Sequence, residues 1–430
     1  MGAPKTTRSA DWVYSVLPVS LATGPLGTLV QLYLIQLSGH PLGTIYAGLA
    51  VALFNGVSIP ASIFWGITTD RLHARRTLVV LSYSVMSLVL FAFYYSSSTP
   101  GTLLVYSVFS FMSAAAATPL NLLIMETEQK GRWADTFARL SMMSSIGNVG
   151  GLVLSTFWAQ TLPLILLAIP LGVFSLASAS LALVTIHEPA FTFERETIVG
   201  RKSSFFARLL SLPLMFLNLP RASDFRRVFR GLRFTITSYI PLFYISTVCF
   251  YLSSGLFNTS FVPALSAFSL SAGVVFAVIL AGSFIQTLSF RYVGRYAESR
   301  TLKSTSIQGL LLRGGGYVLL GASALLAASP SFIIPVLILY PISAGTAFAV
   351  YYTSSNTMMF NTVQTRSPGA ALGVYSSVVG FATLAGSLAS SFISVYLGFH
   401  VTFVLAGLLA FLAAAVVAKL PSINQDRPQS

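Results

Sequence analysis

Charge is scarce in this chain, and where it gathers, the residue types suggest its use. In WGITTDRLHARRT, residues 65–77, Gly66 and Asp70 are followed by Arg71, Arg75 and Arg76. An acid this close to three guanidinium groups suits charge-assisted hydrogen bonding, and its carboxylate also suits the positive end of a helix. A second group, ETEQKGRWADTFAR, residues 126–139, supplies Glu126, Arg132, Asp135 and Arg139. Glu126 and Arg132 can join Arg71 in one network. Exposed pairs of this kind contribute only about 0–1 kcal/mol, and solvated loop charges are the alternative reading. Catalytic arrangements are missing. There is no H-E-x-x-H, no pair of aspartates within an apolar run and no G-x-x-x-x-G-K-[ST]. Neither an enzyme nor an ATP-driven machine is expected, and no cofactor or metal.

Hydropathy sets the elements that carry these groups. Only 8% of the residues are charged and 55% are hydrophobic, against about 25% charged in soluble domains. Apolar runs of about 20 residues recur over nearly the whole length, each long enough to cross a bilayer as a helix. They lack the polar–apolar alternation of a membrane β-barrel. An all-α integral membrane protein follows, with spans at 13–37, 43–66, 77–96, 101–125, 137–159, 163–186, 236–259, 267–290, 304–327, 332–357, 370–393 and 398–419. Loops near residues 40, 98, 161, 263, 330 and 396 contain no Lys, Arg, Asp or Glu, while those near 70, 130, 187–235, 295 and 366 hold nearly all the charge. This asymmetry predicts that both termini and the charged loops are cytoplasmic, in the cell membrane. The net charge of +14 then reports orientation, and nucleic acid is not an expected partner. The N-terminal MGAPKTTRSADW enters a full-length span without an A-x-A site, which reads as a retained first helix. Cys249 lies alone in an apolar run, so no disulfide framework is expected.

Residues 187–235 separate two groups of six spans. The expected organisation is a bundle over 1–186, a basic linker over 187–235 and a second bundle over 236–430. The linker carries nine Lys or Arg against four acids, and its middle, RKSSFFARLLSLPLMFLNLP, suits an amphipathic helix on the inner leaflet. The halves read as repeats. NLLIMETEQKGRWADTFARLSMMSSIGNVGG, residues 121–151, aligns without gaps on NTMMFNTVQTRSPGAALGVYSSVVGFATLAG, residues 356–386. Paired halves of this kind mark secondary transporters.

At this point the chain resembles the major facilitator superfamily. The loop between the second and third helices in that family reads G-x-x-x-D-R-x-x-x-R-R or close to it, and Gly66, Asp70, Arg71, Arg75 and Arg76 stand at that spacing. The resemblance implies twelve helices in two pseudo-symmetric six-helix bundles. It also implies that Gly66, Asp70 and Arg71 latch the two halves on the cytoplasmic face, and it places an acid and an Arg where Glu126 and Arg132 stand. Gly66 would remove a side chain where helix ends approach. The matching stretch of the second half, FRYVGRYAESRT, keeps Arg295 and Arg300 but has Gly294 in place of the acid. GNVGG, residues 147–151, matches only partly the glycine–proline pattern of the family's drug/proton antiporters.

None of the 11 Asp and Glu falls in the middle of a span. The groups left for a solute are neutral: Asn55 and Asn148 near span centres, and Gln31, Asn258, Gln286, Tyr351 and Tyr352 nearer the ends. Each can hydrogen-bond a neighbouring helix instead, at roughly 0.6 kcal/mol. Arg313, in GLLLRGGGYVLL, lies about 13 Å along the ninth span and is expected to snorkel to the inner headgroups, with recognition of an anion as the sharper alternative. A small neutral or amphiphilic solute is the expected cargo, with a lipid flippase or a non-transporting sensor as alternatives. The expected partners are that solute and the lipid bilayer, around a monomer.

Overall fold

Backbone groups cannot stay unpaired in hydrocarbon, so apolar runs of this length fold as helices. The computed structural model describes residues 11–72, 74–127, 133–186, 239–298, 301–326, 331–362 and 368–420. Among these there is no strand, and twelve helices are long and apolar enough to span a membrane. A 3-10 turn, Asp11–Ser15, leads into α1 (Val16–Ser38). Then come α2 (Leu42–Leu72), α3 (Arg75–Tyr94), α4 (Thr99–Thr127), α5 (Trp133–Thr161) and α6 (Ala168–Thr185). The second set is α7 (Tyr239–Ala267), α8 (Ala272–Glu298) and α9 (Leu302–Leu326). After these, α10 joins Ile333–Tyr340 to Ala347–Thr362 through a π-helical turn at Pro341–Thr346. It is followed by α11 (Pro368–Tyr396) and α12 (Phe399–Ala418).

The helix ends differ from the sequence expectation in instructive places. Pro263 was expected in an outer loop, yet α7 continues through it to Ala267. Pro25, Pro60 and Pro119 are also inside helices. In a membrane, neighbouring helices and hydroxyl side chains satisfy the carbonyl that a proline releases. Both α2 and α8 outrun their apolar stretches, so Gly66, Asp70, Arg71 and Arg295 stand on helices rather than in loops. The linker expected over 187–235, and Arg132, lie outside the described residues.

The chain divides into two compact units: Met1–Leu29 with Val57–Phe225, and Val30–Gly56 with Arg226–Ser430. In the first unit, α1 crosses α5 almost backbone to backbone. A Cβ on Gly147 would lie 2.5 Å from Leu17 O, and one on Gly24 would lie 2.7 Å from the Asn148 backbone. Gly151 faces Leu21 O in the same way. Buried serines tie the other helices. Ser175 donates to Tyr83 O at 3.0 Å and Ser87 to Gly172 O at 2.8 Å, joining α3 to α6. Ser178 Oγ accepts from Val19 N and donates to Ser15 O, both at 2.6 Å. Ser178 thus fastens α6 to the start of α1 through both a donor and an acceptor of its backbone. Arg76, at the start of α3, donates to Leu183 O in the last turn of α6.

The second unit repeats these contacts. Gly255 of α7 and Gly386 of α11 face each other, and a Cβ on Gly255 would lie 2.5 Å from Thr383 O. Gly386 is the residue that the internal alignment sets against Gly151. Lys303, at the start of α9, donates to Leu420 O just past α12 at 2.6 Å, as Arg76 does from α3 to α6. Ser253 donates to Ala406 O at 2.6 Å, and Ser390 to Leu256 O at 2.6 Å. In both units, then, the first helix crosses the fifth on glycine, and a cation on the third ties down the end of the sixth.

Candidate functional site

The chemistry of the second unit centres on Arg313. It lies on α9 about 17 Å from Leu302 at 1.5 Å per residue. Glycines bring α9 against its neighbours. A Cβ on Gly309 would lie 2.9 Å from Tyr351 N on α10, and one on Gly314 would lie 2.7 Å from the Phe411 ring on α12. The Arg313 side chain is only 1% exposed. It crosses to α7, where Nη2 donates to Ser254 Oγ at 3.1 Å, while Ser254 Oγ donates in turn to Phe250 O at 2.9 Å. The guanidinium carbon sits 5.0 Å from the ring centres of Phe250 and Tyr317 and 5.3 Å from that of Phe348. The expected snorkelling does not occur. The three rings and Ser254 hold the side chain sideways within the bundle.

A desolvated cation–π contact is worth about 2 kcal/mol, and a buried charge costs several kcal/mol. Three ring faces therefore offset much of the cost of burying this charge. The rings continue into a wall. Tyr351 packs on Phe250 with centroids 3.9 Å apart, Tyr317 stacks on Phe257 at 3.7 Å, and Tyr340 stacks on Phe261 at 4.1 Å. Tyr340 ends the first part of α10, directly before the π-helical turn. Such turns recur at functional sites because they re-aim the residues that follow. Here those residues include Phe348 of the cage.

The residues expected to meet a solute differ in exposure and partners. Tyr351 is 1% exposed and belongs to the packed core, whereas Tyr352 beside it is 40% exposed. Gln31 is 7% exposed, and its Oε1 meets no donor among the described residues. Asn55 donates to Val51 O of its own helix at 3.0 Å, and Asn148 accepts from Thr23 Oγ1 of α1 at 3.4 Å. Asn258 is exposed on α7, and Gln286 is half-buried on α8. Of the charged motif, Arg75 is buried at the start of α3 and Arg76 caps α6. A Cβ on Gly66 would meet nothing within 4 Å among the described residues. Asp70, Arg71 and Glu126 are described only as helical backbone. Sequence reasoning missed Phe250, Ser254 and Phe348. The available signal was the RGGG run, Arg313 to Gly316, in which glycines let neighbouring helices close on an arginine.

Two helical units that repeat their first-to-fifth and third-to-sixth contacts define a twelve-helix membrane transporter fold. Residues 15–378 match the Major Facilitator Superfamily, and the chain belongs to that family. Among solved structures it is similar to the nucleoside transporter NupG, with a TM-score of 0.67 and 14% identity over 96% of this chain and 99% of that one. It is also similar to the human organic anion transporter MFSD10 (TETRAN), with a TM-score of 0.61 and 17% identity over 96% and 100%. At these identities the likeness shows the fold. No curated protein sequence matches.

Proposed function

We propose that the chain moves a small, neutral or amphiphilic solute across the cell membrane by alternating access, as a monomer with both termini cytoplasmic. The observation that carries this reading is the pairing of neutral polar groups and aromatic walls with spans that hold no central acid. Bundles over 1–186 and 236–430 would rock about the solute, joined by the basic linker 187–235. Asp70, Arg71 and Arg75, with Glu126 and Arg132, would latch the cytoplasmic side in one of the two states. The test is Asp70→Asn, which removes one charge and keeps the shape. Uptake into proteoliposomes should fall strongly while expression and melting temperature stay at wild-type values. Wild-type flux in this variant would sink the latch. The solute class follows from a thermal-shift panel sorted by charge, because a ligand at 100 times its dissociation constant stabilises by about 2.7 kcal/mol.

A flippase for lipid-like amphiphiles is the second reading. A groove of about 420 Å³ favours it, lined by Ile285 and Leu288 of α8, Leu312 of α9 and Val350 of α10. Scrambling of labelled lipid by reconstituted protein, without flux of soluble solutes, would select it.

A further inference from the structure

The cage around Arg313 serves the face of its charge and neglects its hydrogen bonds. Phe250, Tyr317 and Phe348 present ring surfaces to the guanidinium, and ring surfaces accept no in-plane hydrogen bond. A guanidinium carries five N–H donors and does not lose its proton in proteins. Ser254 accepts from Nη2, while Nε and Nη1 are buried and meet no acceptor among the described residues. The Tyr317 hydroxyl, also buried, lies within hydrogen-bonding reach of the guanidinium. No Asp or Glu occurs in the middle of any span, so the sequence offers no counter-charge at this depth. A permanent cation with unused donors and no acid partner calls for a negative group from outside the chain.

The geometry points to an anion-binding site at Arg313, walled by Phe250, Tyr317 and Phe348, with the Tyr317 hydroxyl as a neutral donor and Ser254 orienting the guanidinium through Nη2. It takes one monovalent anionic group: a halide, or the carboxylate of an aromatic or amphiphilic acid. A single cation balances one negative charge, and the ring wall suits the apolar body that carries a carboxylate. The site stands apart from any transport. Only the assignment of its occupant as the moving solute rests on the transporter reading.

The experiment melts detergent-purified full-length protein at constant ionic strength in gluconate, with chloride or benzoate replacing gluconate stepwise. Wild-type protein should gain melting temperature saturably in chloride, in benzoate or in both. Arg313→Met should lose that gain entirely, and in gluconate it should melt no lower than wild type, because it removes an unpaired charge. Arg313→Lys should keep the gain, with a half-saturating concentration raised at least about tenfold, since it loses the guanidinium fork. A chloride response that benzoate does not exceed assigns a resident counter-ion. A benzoate response at concentrations where chloride has no effect assigns a solute carboxylate. Equal melting of wild type in all three salts overturns the site, and so does a response that persists in Arg313→Met. If Arg313→Met does not fold, Ser254→Ala and Tyr317→Phe replace it, and unchanged half-saturation in both overturns the site. Labelled benzoate flux in proteoliposomes separates the two readings. A melting response without flux leaves the site and removes the transport role.

Discussion

Gly147→Ala and Gly255→Ala are expected to loosen their own halves by similar amounts, for one geometric reason. A Cβ at Gly147 would stand 2.5 Å from Leu17 O, and one at Gly255 would stand 2.5 Å from Thr383 O, where ordinary contact begins at 3.4 Å. Both obstacles are backbone oxygens, which have no rotamer to escape into. The helices must part by about 0.9 Å, and a gap of that order forfeits a quarter to a half of each dispersion well along the crossing. Overpacking of this kind costs about 1–3 kcal/mol, and the better helix propensity of alanine returns up to about 1 kcal/mol. A Cβ on Gly66 or Gly315 meets nothing within 4 Å among the described residues, so their alanine variants gain the propensity without the clash. The assay is thermal unfolding of the four purified variants in one detergent. The crossing variants should melt a few degrees below wild type, and the two controls at or slightly above it. Equal melting temperatures across all four would refute the reasoning, because the crossings would then not be held at contact distance.

Other consequences are as direct. Arg76→Gln and Lys303→Gln each remove a charged donor from the last carbonyls of a helix. Each should cost about 0.3–1 kcal/mol, and the losses should add in the double variant, since the sites lie in separate units. Ser178→Ala removes two buried hydrogen bonds, to Val19 N–H and to Ser15 O, and should cost about 1–3 kcal/mol in the same melt. His40, between α1 and α2, has its pKa lowered from 6.5 by partial desolvation. The unfolded chain then binds the proton more readily, so the native state loses stability as pH falls below about 6.5. A melting profile from pH 8 to 5 should show this decline in wild type and a shallower one in His40→Gln.

The span count was legible because charge and hydropathy alone decide which segments enter a membrane. The helix ends were less so. Pro263 carries the same letters in a loop and in a membrane helix, and only packing decides between them. The internal alignment ending at Gly151 and Gly386 found a real correspondence, since both residues face a carbonyl on the first helix of their half. The matching ties of Arg76 and Lys303 left no such trace, because each meets a backbone oxygen that any residue supplies. Arg313 was placed within the ninth helix and aimed the wrong way. Snorkelling follows from one helix in lipid, whereas the turn toward Ser254 depends on α7 and α10, which no local pattern encodes.

The paired ties also explain how such a chain drifts in sequence. At Gly147 and Gly255 the geometry constrains only the distance between two backbones. At Arg76 and Lys303 it acts on a positive charge within reach of a helix end. Neither constraint names a partner side chain, so most lipid-facing positions are free to exchange one apolar residue for another. A duplicated protein built this way preserves its joints while its letters diverge, and its ancestry persists in contact geometry after alignments have lost it.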